Sequence, residues 1–291
     1  MKIHVSLFCA AAAICALPVV VRAQENAPIT GQWIIENIEA PGSVGLTLHR
    51  SFGKSGSSTN SSGISVSALK GLTAAQMNAG DGGMVHFEIV RDAGTLACEG
   101  YFKRGAGAGT LSFHANPQFA SEMRKLGYEV QKPEMFFSMA AHDISLAYIR
   151  DLDALHIRPA NSDELVTMRI HGVSVEFVRE LQALGYSNLK PDQLVTMRIH
   201  GVTADFIREL KKLGYNLVPT DELVTMRIHG ATTEFIQDLK TLGYEHPSID
   251  QLVTMRIHGV TPEYIRHLQS RGMKNLSIDQ MVSLRIHGIA D

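Results

Sequence analysis

The chain has 291 residues, with 27 basic and 29 acidic side chains, so its formal net charge at pH 7 is −2. A general nucleic-acid binder needs an excess of basic residues, and so does a protein held to anionic lipid by charge. The composition argues against both classes, and the length suffices for two modest domains.

The first 23 residues have the pattern of a secretory signal peptide. Lys2 gives a positive start, residues 5–21 are mostly apolar, and a polar segment follows Ala23. A membrane anchor is disfavoured because Pro18 interrupts a run shorter than the roughly 20 residues that a span needs. We therefore predict cleavage after Ala23 and an exported protein, periplasmic or extracellular, with no stable membrane span.

Residues 24–115 predict a small antiparallel β domain. Apolar side chains alternate along 85–89, a turn follows at 92–94, and a return strand covers 96–102. Further strands are expected at 32–38, 44–48, 64–69 and 110–113. The segment 53–63 is polar and rich in glycine and serine, which predicts a mobile loop. The strands together indicate either a sandwich or a partly closed barrel.

The second half of the chain contains an exact internal period. The motif Arg-Ile-His-Gly recurs every 29 residues and begins at Arg169, Arg198, Arg227, Arg256 and Arg285. A fixed period of this length is typical of stacked supersecondary units. Weaker matches upstream extend the array to residue 116, so 116–160 hold degenerate units and 161–291 regular ones.

Each unit predicts two short helices. The first has acidic residues in its first turn and ends at the glycine of the motif; the second begins at a serine or threonine cap. Helices of about ten residues do not persist alone in water, so neighbouring units must stack and bury their Leu, Met, Ile and Phe side chains. The predicted fold class is α+β: a small antiparallel β domain followed by an α-solenoid of short helix pairs.

A histidine recurs in every unit, and it is the first candidate for metal binding. Ligands must converge on one ion, whereas equivalent positions of stacked units form a row. We therefore predict that these histidines donate to helix-end carbonyls or pack against the next unit, and that the chain holds no metal or other cofactor. The positions are His142, His171, His200, His229, His258 and His287.

The arginine of the motif also forms a row, and two interpretations stay open. Guanidinium groups that face solvent would form a partner surface suited to carboxylates. Alternatively, each arginine pairs with an acid of a neighbouring unit, such as Glu176 or Asp205, and joins the units together. The candidate partner-surface residues are Arg169, Arg198, Arg227, Arg256 and Arg285.

The sequence predicts no catalytic residue. Cys98 is the only cysteine left after removal of the signal peptide, and its apolar strand pattern indicates a core residue rather than a nucleophile. No nucleophile–histidine–carboxylate arrangement is recognisable, because the prominent histidines and acids belong to the repeat.

Residues 252–266, Leu-Val-Thr-Met-Arg-Ile-His-Gly-Val-Thr-Pro-Glu-Tyr-Ile-Arg, resemble repeats of bacterial exported proteins. Similar repeats occur in the extracytoplasmic region of membrane zinc peptidases of the beta-lactam-sensor type. The segment 87–119 resembles the region before the repeats in such chains, at Arg-Asp-Ala-Gly-Thr (91–95) and Cys-Glu-Gly (98–100). The peptidase's HExxH motif and membrane helices are missing here, so no proteolytic role carries over.

The resemblance implies a stand-alone version of the extracytoplasmic part. The expected function is therefore that of an exported, non-enzymatic protein-binding or scaffold protein, whose partner is a protein or peptide of the cell envelope. The alternatives are an envelope sensor that binds a small ligand or peptide and, ranked last, a hydrolase.

Overall fold

The computed structural model describes residues 29–37, 42–51 and 57–289. The predicted signal peptide, residues 1–23, lies outside this part of the chain. Within it, the protein is mixed α+β, with a six-stranded antiparallel sheet followed by twelve helices.

The sheet has the strand order β3-β2-β1-β6-β5-β4, and every neighbouring pair is antiparallel. Its strands are β1 (Ile29–Asn37), β2 (Ser43–Ser51), β3 (Ser57–Ser65), β4 (Gly83–Arg91), β5 (Gly94–Lys103) and β6 (Ala106–Ala115). A short helix, α1 (Ala74–Asn78), precedes β4 and begins with a capping box formed by Thr73 and Gln76. Because all six strands belong to one sheet, the predicted sandwich is wrong.

The sheet is strongly curved. Lys70, five residues after the end of β3, exchanges two backbone hydrogen bonds of 2.8 Å with Glu88 on β4, at the opposite edge. Five residues span at most about 18 Å, whereas the edges of a flat six-stranded sheet lie about 24 Å apart. The two edges must therefore approach each other, as the partly closed barrel of the sequence analysis requires.

One aromatic cluster fills the inner face of this curved sheet. Trp33 of β1 is fully buried, and its ring centroid lies 5.0 Å from that of Phe87 on β4 and 6.1 Å from that of Phe102 on β5. Its indole N–H donates to the carbonyl of Glu99 at 3.2 Å. A Cβ on Gly107 would lie 2.2 Å from the Phe102 ring, so only glycine lets β6 approach this cluster.

The polar segment 53–63 does not form the predicted loop throughout. Residues 57–63 lie in β3, and the strand predicted at 64–69 ends instead at Ser65, followed by a 3-10 turn at Val66–Ala68. Ile64 is the one buried residue of β3, so apolar alternation could not reveal this edge strand. Polar cross-strand contacts, such as Thr47 to Ser61 at 2.9 Å, accompany its backbone pairing with β2.

The twelve helices are each nine or ten residues long. They are α2 (Pro117–Lys125), α3 (Pro133–Ala141), α4 (Leu146–Ala154), α5 (Ser162–Ile170), α6 (Val175–Ala183), α7 (Pro191–Ile199), α8 (Ala204–Lys212), α9 (Thr220–His229), α10 (Thr233–Thr241), α11 (Ile249–Ile257), α12 (Pro262–Ser270) and α13 (Ile278–Ile286). The odd-numbered helices from α3 to α13 contact one another in succession, and so do the even-numbered helices from α4 to α12.

The predicted helix ends are confirmed. The hydroxyls of Ser174 and Thr203 accept hydrogen bonds from the amides of Phe177 and Phe206, both at 3.1 Å. Ser248 and Ser277 form capping boxes. The glycine of each motif has a φ between 64° and 72°, the left-handed conformation that ends the helix.

The sheet and the helices share one continuous apolar core. α3 packs against β1, β5 and β6, and the Phe137 ring lies edge-on to Phe113, with the centroids 5.5 Å apart. A second connection comes from the β4–β5 turn, where the Asp92 carboxylate accepts a 2.8 Å hydrogen bond from the amide of Leu146. The turn of the sheet therefore contributes a cap to α4.

Candidate functional site

The odd-numbered helices α5 to α13 each bury one face and expose the other. In α5, Leu165 and Met168 have no exposed surface. Asp163, Thr167 and Ile170 follow at intervals of four and three residues, so they share the opposite face of the helix. All three are exposed.

The isoleucine of every Arg-Ile-His-Gly motif lies on this exposed face. Its side chain is 53 to 57% exposed in each of the five copies, which we name the isoleucine row: Ile170, Ile199, Ile228, Ile257 and Ile286. The expectation that stacking buries this isoleucine is therefore wrong. Since successive helices contact one another, the five side chains form a regular apolar line along the array.

A second line runs parallel to the first, seven residues earlier in each helix. This aspartate row consists of Asp163, Asp192, Asp221, Asp250 and Asp279, all exposed. In the described part of the chain, no lysine, arginine or histidine forms an ion pair with any of them. Seven residues of helix separate the two rows by about 10 Å.

The floor between the two rows is formed by threonine and valine. The hydroxyls of Thr167, Thr196 and Thr225 donate to carbonyls one turn earlier, at 2.8 to 2.9 Å, so their hydrogens are already used. Between α7 and α9 the floor deepens into a cavity of about 320 Å³ lined by residues that include Thr196, Val224 and Asp221. The two rows and the residues between them form one face across the helices, which we name the groove after its depression between α7 and α9.

The candidate arginines contact the preceding unit through aromatic rings. Each guanidinium lies over the ring one unit earlier, with the carbon 4.9 to 5.2 Å from the ring centroid, as in Arg198 over Phe177. Arg198 also lies against Gly172, where an added Cβ would be 3.1 Å from its Nη2. Asp205, considered above as a partner, pairs with Arg208 of its own helix. The arginines therefore join neighbouring units by cation–π contacts.

Tyrosines form a second set of links between units that the sequence analysis missed. The Tyr186 hydroxyl donates to the carbonyl of Val218 at 2.8 Å, and Tyr215 donates to Pro247 at 2.7 Å. Burial raises the pKa of both phenols.

The recurring histidines lie at the helix ends, as predicted. His287 Nδ1 lies 2.7 Å from the carbonyl oxygen of Ser283, one turn earlier. His142 differs from the others, because it lies 3.1 Å from the amide nitrogen of Asn60 on β3. Burial, and secondarily the charge of Arg169, lowers the pKa of His142. Within the described ranges, no three His, Cys, Asp or Glu side chains are placed to hold a metal ion.

A second candidate site lies on the outer face of the sheet. A cleft of about 630 Å³ crosses β2, β1, β6 and β5, and its polar lining includes Gln32, His49, Glu99, Thr110 and Ser112. These residues come from strands that are adjacent in space but distant in the chain, so the sequence alone does not indicate that they meet. The lining offers hydrogen-bond donors and acceptors to a small polar ligand.

Cys98 is a core residue, as predicted. It is 1% exposed on the inner face of β5, and burial raises the pKa of its thiol to about 12. A thiol with this pKa is protonated at neutral pH, and the thiolate is the nucleophilic form.

No protein-family model matches this chain, and no curated protein matches it at a significant level. Among the described helices, none combines the length and the apolar character required to cross a bilayer.

Helix geometry alone could have located the isoleucine row. Ile170 follows Met168 by two residues, which is about 200° around a helix, so both cannot lie on one buried face. The assignment of Ile170 to the core relied on residue type instead.

Proposed function

We propose that this chain is an exported, non-enzymatic binding protein whose helices form an α-solenoid and hold a polypeptide partner along the isoleucine row. The solenoid has 29-residue units, and its partner is a protein or peptide of the cell envelope. The observation that carries the proposal is the repeated exposure of the same isoleucine in five units.

The inter-unit contacts support the solenoid. Odd-numbered helices contact odd-numbered neighbours and even-numbered helices contact even-numbered ones, as expected when helix pairs stack in one direction. The arginine–ring contacts and the tyrosine hydrogen bonds recur with the same period. These residues serve architecture in our proposal, and direct contact between the arginines and a partner stays a prediction.

The energetics of burial support a binding role for the row. An isoleucine that is half exposed gives up about 1 kcal/mol or more of available hydrophobic stabilisation, and here the loss is repeated five times. Contiguous exposed apolar surface on a folded protein is typical of an interaction site. The packed core of each unit is complete without this side chain, since Leu194 and Met197 of α7 are already fully buried.

The outer-face cleft of the sheet supports a second candidate, an envelope sensor for a small polar ligand. Saturating ligand would raise the melting temperature of the wild-type chain, because a ligand that binds only the folded state stabilises it. Replacing Thr110 by valine would remove one hydrogen-bonding group from the cleft and reduce that shift, whereas Ile228→Ser would leave it unchanged.

Selection from a random library of 12-residue peptides tests the polypeptide-binding proposal. The mature chain is the target, and a variant with three serines in the row is the counter-target: Ile199→Ser, Ile228→Ser and Ile257→Ser. We expect enriched peptides that bind the wild type at least about tenfold more tightly than the variant.

Leu217→Ser is the matched control, because Leu217 is 64% exposed in the helical part but lies outside the row. Binding should survive this change. A selection that yields no binder, or only binders indifferent to the isoleucines, would contradict the proposed function.

A further inference from the structure

The groove between the two rows has chemically different sides. Apolar isoleucines form one side, unpaired aspartates form the other, and threonine and valine form the floor. Each aspartate lies in the first helical turn, where its charge also favours the helix dipole. That role requires an acid in the first turn but does not require it to lie in line with the isoleucine of the same helix.

The arginines do not cancel this acidic side. Arg227 is exposed and the other four arginines of the motif are partly buried, but all five guanidinium groups are stacked on a ring of the preceding unit. Arg169 additionally donates its Nε–H to the carbonyl of His142 at 3.1 Å. The Nε atoms of Arg198 and Arg256 are also buried, whereas the aspartates of the row are exposed.

The dimensions of the groove match an extended chain. Adjacent packed helices lie about 8–10 Å apart, so five of them span about 32–40 Å, which an extended segment covers with about 10–12 residues. Side chains of an extended chain alternate in direction, so a segment lying along the floor directs every second one to each side. The separation of about 10 Å between the rows leaves room for one such backbone.

We infer that the partner is an extended polypeptide segment in which apolar and basic side chains alternate, with the apolar ones against the isoleucine row and the basic ones against the aspartate row. This inference rests on the proposed function and specifies the chemistry of its partner. Opposite charge along the whole groove gives the segment its orientation and speeds its association.

Three labelled 13-residue peptides test the inference by fluorescence anisotropy with the mature chain. The first alternates leucine with lysine, the second leucine with glutamate, and the third serine with lysine. We expect the leucine–lysine peptide to bind, the leucine–glutamate peptide to bind at least about 100-fold more weakly, and the serine–lysine peptide at least about tenfold more weakly.

Two variants with the same net charge distinguish the effect of the aspartate row on binding from the effect of the net charge of the chain. The first changes three central members of the row: Asp192→Asn, Asp221→Asn and Asp250→Asn. The second changes three exposed acids outside it: Glu176→Gln, Asp238→Asn and Glu245→Gln. The first should weaken leucine–lysine binding at least about tenfold and flatten its salt dependence, and the second should do neither.

Equal loss in the two variants, or equal binding of the lysine and glutamate peptides, would overturn the inference. If the library selection yields isoleucine-dependent peptides that are neutral or acidic, the proposed function stands and the cationic partner is rejected. If the library yields no isoleucine-dependent peptide and the leucine–lysine peptide also fails to bind, the proposed function and the cationic partner are both rejected.

Discussion

The sheet and the helical part are stabilised in different ways. In the sheet, β1 pairs with β6, so that Ile29 lies opposite Phe113, and one aromatic cluster joins strands from both ends of the region. In the helical part, the Tyr186 hydroxyl reaches a carbonyl only 32 residues further along the chain. The sheet therefore forms as a whole, whereas each helix pair depends mainly on its neighbours.

This difference explains why one region can expose apolar side chains in a regular line. The sheet directs Trp33, Phe87 and Phe102 into one inner cluster, and the apolar residues that its outer face exposes occupy positions that no repeat relates: Ile34, Met84, Val90 and Tyr101. A stack of helix pairs uses two faces for contact with its neighbours and leaves a third face free. The isoleucine row lies on that free face of the proposed solenoid, and we expect a partner contact made in one unit to recur in the others.

The largest effect is expected from the aromatic cluster of the sheet. Trp33→Ala removes a fully buried ring and should lower the free energy of unfolding by about 3–5 kcal/mol. Urea unfolding followed by circular dichroism measures the loss, with Trp33→Phe as the milder control. A loss below about 1 kcal/mol would show that the sheet does not depend on this cluster.

A smaller effect is expected where the two regions meet. Asp92→Ala removes the acceptor for the Leu146 amide at the start of α4, and loss of a helix cap costs about 0.5–2 kcal/mol. Asp92→Asn retains an acceptor and should recover at least half of that loss. If alanine and asparagine are equally destabilising, the hydrogen bond is not what connects this turn to α4.

The tyrosine links allow a matched comparison of the two regions. Tyr186→Phe leaves the buried carbonyl of Val218 without its donor, so we expect a loss of about 1 kcal/mol in urea unfolding. Tyr101 of the sheet donates to the carbonyl of Asp81 but is 46% exposed, so Tyr101→Phe should cost less. A larger loss of stability for Tyr101→Phe than for Tyr186→Phe would contradict a structural role for the hydrogen bonds between units.

The smallest effect is a pH dependence at His142. Because burial and Arg169 lower the pKa of His142 in the folded protein, folding favours its neutral form. The contribution of neutral His142 to the free energy of unfolding is complete above the ordinary histidine pKa of about 6.5. It is lost as the pH falls from there through the lower pKa of the folded state. The melting temperature of His142→Gln should therefore fall less between pH 7 and pH 5 than that of the wild type. An equal fall in the melting temperatures of the two proteins would exclude His142 as a source of the pH dependence.

Much of this structure could be predicted from the sequence because the repeat supplies the same signal several times. The helix starts at Ser174 and Thr203 and the left-handed glycines follow from local residue preferences. The arginine contacts could not be predicted, because a ring in the preceding unit is as compatible with the spacing as an acid. β3 was missed because its residues pair through the backbone and bury almost no apolar surface.

The candidate site was predicted only in part. The sequence indicated a long repeated surface and offered the arginines as its candidate residues, with pairing to acids of a neighbouring unit as the alternative. Burial of the Arg198 guanidinium against Phe177 and Gly172 depends on how two units stack, and exposure of Ile199 depends on which helix face that stacking covers. Neither is a property of one unit alone.

Removal of one whole unit tests the central claim, that the helical part is a stack of equivalent units from which one can be removed without disturbing the sheet. In a chain without residues 190–218, Tyr186 would meet the carbonyl of Pro247 in place of Val218, and Arg227 would stack on Phe177 in place of Phe206. We predict that this chain still unfolds cooperatively, loses the helical signal of about two of its twelve helices, and keeps the native emission of Trp33. An unfolded or aggregated chain with the emission of an exposed tryptophan would contradict the claim.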